Sequence, residues 1–141
     1  MTLPPLVISA RDREPLVSVA KSALSSDRAA PTASNLLSEV ARATVCAEDA
    51  VPRNVVVMGS EVEVHDDVRK THARVRLVFP DEVALAADAV SVLTPLGVAL
   101  IGLSEGASIE WCTATGDLSR ITVVRVLPRR EQVGPIPSVK A

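Results

Sequence analysis

The apolar residues of this chain follow two periods, and the first is helical. Between residues 9 and 46 they recur three and four positions apart in two stripes, which are Leu16, Val19, Ala20, Ala23 and Leu24, then Leu36, Leu37, Val40, Ala41, Thr44 and Val45. Ser9 followed by Asp12 is typical of a helix start, and the second helix is expected to begin near Thr32 or Ser34. The short connection from Ser25 to Pro31 predicts an antiparallel helical hairpin.

Beyond Pro52 the period changes to that of β-strands. The predicted strands are the apolar run Val55–Met58, the alternating segments Glu61–Val64 and Thr71–Phe79, the apolar segment Val90–Leu93, and a final hairpin of Ile109–Cys112 and Ser119–Leu127. A mostly antiparallel sheet with one helix after the hairpin predicts an α+β fold.

The stretch from Ala89 to Gly106 is the expected structural centre of the sheet region. An apolar strand meets Thr94 and Pro95, which suit the N-cap and first turn of a helix. The short helix that follows is apolar, and Gly97 leaves room for a close approach of the backbone. The pattern therefore predicts a rigid strand–turn–helix unit.

Composition narrows the possible functions. The 141 residues contain 48% apolar residues and carry a net charge of −2, which fits one domain, or one with a small appendage, and argues against a protein that neutralises many phosphates. Phe79 and Trp111 are the only aromatics, so platforms for stacking on single-stranded nucleic acid are missing. Cys46 and Cys112 form neither a disulfide framework nor a metal motif. No signal peptide or membrane span is apparent, and a reducing, cytoplasmic setting is expected.

Several segments resemble the bacterial Gre transcript-cleavage factors. Besides the central stretch Ala89–Gly106, the resemblance rests on ARATVC at Ala41–Cys46, PRNVVVMGSEVEV at Pro52–Val64, LVFP at Leu77–Pro80 and SIEW at Ser108–Trp111. These matches keep the family's order along the chain. The resemblance is strongest to a short member of that family.

The resemblance implies an FKBP-like domain over residues 51–128, preceded by a short helical hairpin of coiled-coil type over residues 1–50. Residues 129–141 are expected to form a flexible tail. It also implies a cytoplasmic, non-catalytic regulator that binds RNA polymerase near its secondary channel, competes there with Gre factors, and affects nucleoside diphosphate kinase levels indirectly. Leu93, Thr94 and Pro95 match the polymerase-contacting loop of the family. No cofactor, small-molecule substrate, membrane or sequence-specific nucleic acid is expected as a ligand.

The hairpin tip separates this chain from the cleavage factors that it resembles. In that family two acidic residues at the tip hold a Mg²⁺ ion inside the polymerase, because Mg²⁺ requires oxygen ligands. Here the tip offers only Asp27, beside Arg28. Transcript cleavage is therefore the alternative rather than the prediction, and proline isomerisation, which in FKBP enzymes uses an aromatic pocket, is a second alternative.

Two other polar clusters are interpreted as structural. His65, Asp66 and Asp67, with His72 nearby, match no common metal-ligand spacing and are expected to form a polar turn. Glu61 and Glu63 share one side of a strand and are expected to face solvent. No metal site is predicted.

Overall fold

The computed structural model describes residues 6–85, 87–112 and 116–127. Its helices are α1 (Ala10–Ala23), α2 (Ala30–Arg42) and α3 (Pro95–Leu100), and single 3₁₀ segments cover Glu48–Ala50 and Pro80–Leu85. Its strands are β1 (Val7–Ser9), β2 (Thr44–Cys46), β3 (Glu61–Asp66), β4 (Thr71–Val78), β5 (Ala89–Ser91), β6 (Ser108–Cys112) and β7 (Leu118–Leu127). The predicted α+β fold with an N-terminal helical hairpin is confirmed.

The hairpin begins as its local chemistry predicts, because the Ser9 side chain accepts a hydrogen bond from the Arg11 amide. The second helix differs from the prediction at both ends. It starts at Ala30, with Pro31 in its first turn, where proline needs no amide partner. It stops at Arg42, so Thr44 and Val45 belong to β2, which pairs in parallel with β1. Leu24, expected on the apolar face, is 42% exposed.

The main sheet has the strand order β5-β4-β3-β7-β6. Its neighbours are antiparallel except for β5, which runs parallel to β4. Along β3, Val62 and Val64 are buried while Glu61 and Glu63 point to the other face and pair with arginines on β4. Both carboxylates lie on the face opposite the core, as the alternation predicts, but they are half-buried, with 29% of Glu63 and 15% of Glu61 exposed.

Two sequence-based assignments in this region are wrong. Val55–Met58 forms no strand, and Val55 makes a single bridge to Ser104. Val56 instead exchanges backbone hydrogen bonds with the loop after α3, and its burial explains the apolar run. His65 and Asp66 continue β3 rather than form the turn, which covers residues 67–70 and ends on Lys70 at φ 60°.

One buried cluster joins the hairpin to the sheet. Leu16 of α1 and Leu36 of α2 belong to the same cluster as Val62, Leu77 and Val123 of the sheet. The backbone adds a tie between β1 and the loop after α3, since the Val7 amide donates to the Gly102 carbonyl at 3.1 Å. The hairpin and the sheet therefore share one hydrophobic core.

The division at residues 50 and 51 stays a prediction, and the expected tail at residues 129–141 lies outside the described residues. Within the described part of the chain, no helix combines the length and the apolar character needed to cross a bilayer.

Candidate functional site

The turn between β5 and α3 is held by the side chain of Thr94. Its Oγ1 accepts from the Gly97 amide at 3.0 Å and donates to the Ser91 carbonyl at 2.7 Å. The Thr94 amide donates to that same carbonyl at 3.2 Å, and the residue has the extended backbone of an N-cap. These bonds occupy the Thr94 hydroxyl inside the turn.

Gly97 brings α3 directly against the end of β5. A methyl group at this position would overlap the Ser91 carbonyl oxygen and come within 2.7 Å of the Val92 Cα. Both obstacles are backbone, which cannot rotate aside. The glycine thus permits the close approach that the sequence predicts, and the turn is rigid.

The three residues predicted to contact the polymerase are all half-buried. Leu93 packs partly against the core, and its amide donates to the Ser91 Oγ at 3.0 Å. Because the Thr94 hydroxyl is engaged within the turn, Leu93 and Pro95 offer the carbon surface that a partner could contact. Each of these two residues borders a different groove.

The first groove lies between α1 and the segment after β4, and we call it the α1 groove. It has a volume of about 620 Å³. Apolar side chains from both sides line it, and Asp81 and Glu82 lie at its edge; the apolar members are Pro15, Val19, Phe79 and Leu93. The sequence analysis missed this groove because its walls are far apart in the chain.

The second groove lies between α2, α3 and β6, and we call it the α2 groove. It has a volume of about 440 Å³, and Pro95 and Trp111 line it together with Asn35 and Ile109. The Trp111 Nε1 is buried, and no hydrogen-bond acceptor reaches it among the described residues. The two aromatics of the chain therefore lie in separate grooves.

The hairpin tip carries one carboxylate. Asp27 and Arg28 lie exposed in the connection between α1 and α2, where the Ser26 carbonyl accepts from the Ala29 and Ala30 amides. The helices have 14 and 13 residues, so each extends roughly 20 Å at about 1.5 Å per residue.

A row of polar side chains crosses the sheet on the face opposite Val62 and Val64. It contains His72, His65, Thr122 and Ser108, which are partners in register on β4, β3, β7 and β6. Asp67 bridges the row, with its Oδ1 2.7 Å from His65 Nδ1 and its Oδ2 accepting from Thr122 Oγ1 at 2.9 Å. The sequence analysis placed His65 and Asp67 in a turn and did not predict the row.

Hydrogen bonds lower the pKa of both carboxyls beside this row. The bond from His65 is the largest cause for Asp67, followed by that from Thr122. The Arg69 amide is the largest cause for Asp66, which also accepts from Ser119. In the described ranges, no group of three or more His, Cys, Asp or Glu side chains lies close enough together to hold a metal ion.

The profile described as "Transcription elongation factor, GreA/GreB, C-term" matches residues 51–128. The chain belongs to the GreA/GreB family. The profile described as "Rnk N-terminus" matches residues 4–45, which cover the hairpin of this GreA/GreB family member.

Its relatives include the "Regulator of nucleoside diphosphate kinase" of Escherichia coli strain K12 and that of Shigella flexneri. Each is 33% identical over 105 residues, which are 74% of this chain and 76% of the relative. A solved structure, "Prokaryotic transcription elongation factor GreA/GreB from Nitrosomonas europaea", matches with a TM-score of 0.68 and 32% identity, covering 87% of this chain and 98% of that one. The resemblance stated from the motifs is confirmed, including its short, Rnk-like form.

Proposed function

We propose that this GreA/GreB family member is a non-catalytic, cytoplasmic transcription regulator that binds RNA polymerase near its secondary channel. In this proposal it competes there with Gre factors that stimulate transcript cleavage. Its relatives are named for regulation of nucleoside diphosphate kinase, and we propose that any such effect is indirect, through transcription. We also propose that residues 51–128 have an FKBP-like fold.

The single carboxylate at the hairpin tip is the observation that supports a non-catalytic role. A Mg²⁺ ion takes oxygen ligands and near-octahedral geometry, and a single carboxylate holds it weakly. The tip has Asp27 alone, and Arg28 beside it adds a positive charge that disfavours a second cation. The hairpin shares buried core residues with the sheet, and each of its helices extends only about 20 Å.

The turn at residues 93–95 supports binding without catalysis. Its backbone is fixed by the Thr94 cap and by the Gly97 contact, so docking would cost little conformational entropy. Leu93 and Pro95 present apolar surface on two sides of that fixed turn. Apolar contact from a rigid loop is what a recognition surface requires.

The first test uses stalled, backtracked elongation complexes. We expect the protein to cause no transcript shortening beyond the buffer control and to reduce the cleavage that a Gre factor stimulates. Asp27→Asn should compete as well as the wild type, because the proposal gives Asp27 no role in chemistry. Shortening of the transcript by this protein alone would refute the non-catalytic assignment.

The second test locates the contact. Leu93→Ala and Pro95→Ala should each weaken binding to core polymerase while thermal melting confirms a folded protein. Val68→Ala is the matched control, since Val68 is 62% exposed in the turn after β3. If both variants bind like the wild type and Val68→Ala does too, the turn is not the contact site.

The isomerase alternative is not favoured. FKBP-type proline isomerases surround the substrate with several aromatic side chains, whereas here Phe79 lines the α1 groove and Trp111 the α2 groove. A peptide isomerisation assay should show no rate above the uncatalysed reaction. Catalysis comparable to that of an authentic FKBP would revive this alternative.

A further inference from the structure

The chain contains only two histidines, and the fold brings them together. His65 on β3 and His72 on β4 are directly opposite each other in the antiparallel register. Their ring centroids are 4.6 Å apart, with the planes tilted by 53°. His65 is half-buried with 28% of its side chain exposed, and His72 is exposed. Solvent can therefore reach both rings.

The orientation of His65 is fixed by Asp67. The Asp67 carboxylate accepts hydrogen bonds from Thr122 Oγ1 and from the His65 ring. A carboxylate can only accept, so the proton of the second bond lies on His65 Nδ1. In the neutral imidazole, the lone pair that can bind a metal ion is then on Nε2. A histidine held by a carboxylate in this way is the usual arrangement around protein-bound metals.

We propose that His65 and His72 form a site for a divalent transition-metal ion of the imidazole-binding class, such as Zn²⁺ or Cu²⁺. Two nitrogens bound to one ion at about 2.0–2.1 Å lie no more than about 4 Å apart, and two imidazoles whose centroids are 4.6 Å apart can each place one nitrogen within that limit. The protein supplies two ligands and water completes the coordination. Such a site exchanges its ion and holds no resident cofactor.

The chemistry of the neighbouring oxygens favours this class of ion over Mg²⁺ or Ca²⁺. Asp66 Oδ1 already accepts from two backbone amides and from Ser119. Asp67 is occupied by His65 and Thr122, with Arg120 at 3.4 Å. Hard cations require several oxygen ligands, and these carboxylates are already engaged. Affinity for nitrogen ligands should be higher for Cu²⁺ than for Zn²⁺.

The presence of only two histidines makes a direct experiment possible. Zn²⁺ is titrated into the full chain in slightly alkaline buffer, where imidazoles are neutral, and the two histidine Hε1 signals are followed by proton NMR. We expect both signals to shift with the same midpoint in Zn²⁺ concentration. The shifts should be complete when one ion is bound per chain. Movement of one signal alone, or two separate midpoints, would overturn the shared site.

Single substitutions distinguish the histidine pair from metal binding elsewhere on the chain. His72→Gln and His65→Gln should each weaken Zn²⁺ binding at least tenfold in calorimetry. Asp67→Asn should weaken Zn²⁺ binding about tenfold, because the carboxylate that orients the His65 ring is lost. The double variant Cys46→Ser, Cys112→Ser is the matched control and should bind Zn²⁺ like the wild type. Binding that survives His72→Gln, that is lost with the cysteines, or that is equally strong for Mg²⁺ would refute the proposal.

Discussion

Replacing Gly97 by alanine should destabilise the protein although alanine is the better helix former. Gly97 lies in the six-residue helix α3, where alanine alone would contribute about 1 kcal/mol of helix propensity. The added methyl group would overlap the Ser91 carbonyl oxygen and press on Val92 Cα. The sign of the effect depends on whether this backbone can move.

The backbone at Ser91 is held from two sides. Its carbonyl accepts from both the amide and the hydroxyl of Thr94, so moving it away would break the helix cap. The next residue, Val92, is fully buried, and its amide donates to the Val78 carbonyl of β4. Overpacking against such a site costs about 3 kcal/mol, the upper end of the usual range. Subtracting the gain of about 1 kcal/mol leaves a net loss of about 2 kcal/mol.

Urea denaturation of Gly97→Ala and of the wild type measures this difference in the free energy of unfolding. In a separate thermal melt, the melting temperature of Gly97→Ala should be lower by roughly 8 °C. The pair Ser34→Gly and Ser34→Ala, at an exposed position of α2, measures the glycine-to-alanine propensity in the same protein. If Gly97→Ala were as stable as the wild type, or were stabilised as much as Ser34→Ala is relative to Ser34→Gly, the contact between α3 and β5 would be loose. The interpretation of the turn as rigid would then be refuted.

Three further predictions concern single polar side chains. Thr94→Val should lower the free energy of unfolding by about 1 kcal/mol, because the cap is lost, whereas Thr94→Ser should retain most of it in the same urea assay. Asp12→Ala should cost about 1–3 kcal/mol, because the Asp12 side chain is buried and accepts from the Met58 amide at 3.2 Å; an unchanged denaturation midpoint would contradict this. Asp67→Asn should flatten the loss of stability in acid. The folded-state pKa of Asp67 lies below its ordinary value of 3.8, so its contribution is present above that value and is lost as pH falls through the folded-state pKa. The urea midpoints of the wild type and Asp67→Asn, measured from neutral to acidic pH, should converge once the pH is below the folded-state pKa. A constant difference between the two midpoints at every pH would contradict this prediction.

The features that sequence analysis predicted correctly are those fixed by local chemistry. Ser9 and Thr94 cap α1 and α3 because a short hydroxyl side chain reaches the free amides of the first turn whatever the rest of the fold does. The alternation along β3 and β4 likewise follows from the two-residue period of a strand. These signals depend on neighbours within four residues.

The features that it missed depend on contacts between distant segments. Val55–Met58 is apolar because it is buried, but its hydrogen-bond partners lie in the loop after α3, and burial alone does not distinguish such a segment from a strand. The parallel pair of β1 and β2 joins three-residue segments separated by the whole hairpin. Neither pairing leaves a periodic pattern in the sequence.

The histidine pair shows how a small register difference changes an interpretation. Assigning His65 to a turn separates it from His72, whereas one further pair of residues in the β3–β4 ladder places the two rings opposite each other. Because the side chains of a strand alternate, the same extension puts both on the solvent face with Thr122. The position of the turn thus decides whether these residues can form a site.

The α1 groove bears on how the proposed polymerase contact must be tested. Its walls include Val19 from the hairpin and Leu93 from the central turn, so both elements contribute to one surface. Deleting the hairpin would remove members of the shared core, including Leu16 and Leu36, as well as one wall of this groove. A loss of binding by a truncated chain would therefore not distinguish unfolding from loss of contact. Single substitutions that keep the hairpin in place, such as Leu93→Ala beside Val68→Ala, separate the two because each protein's melting temperature can be compared with its affinity.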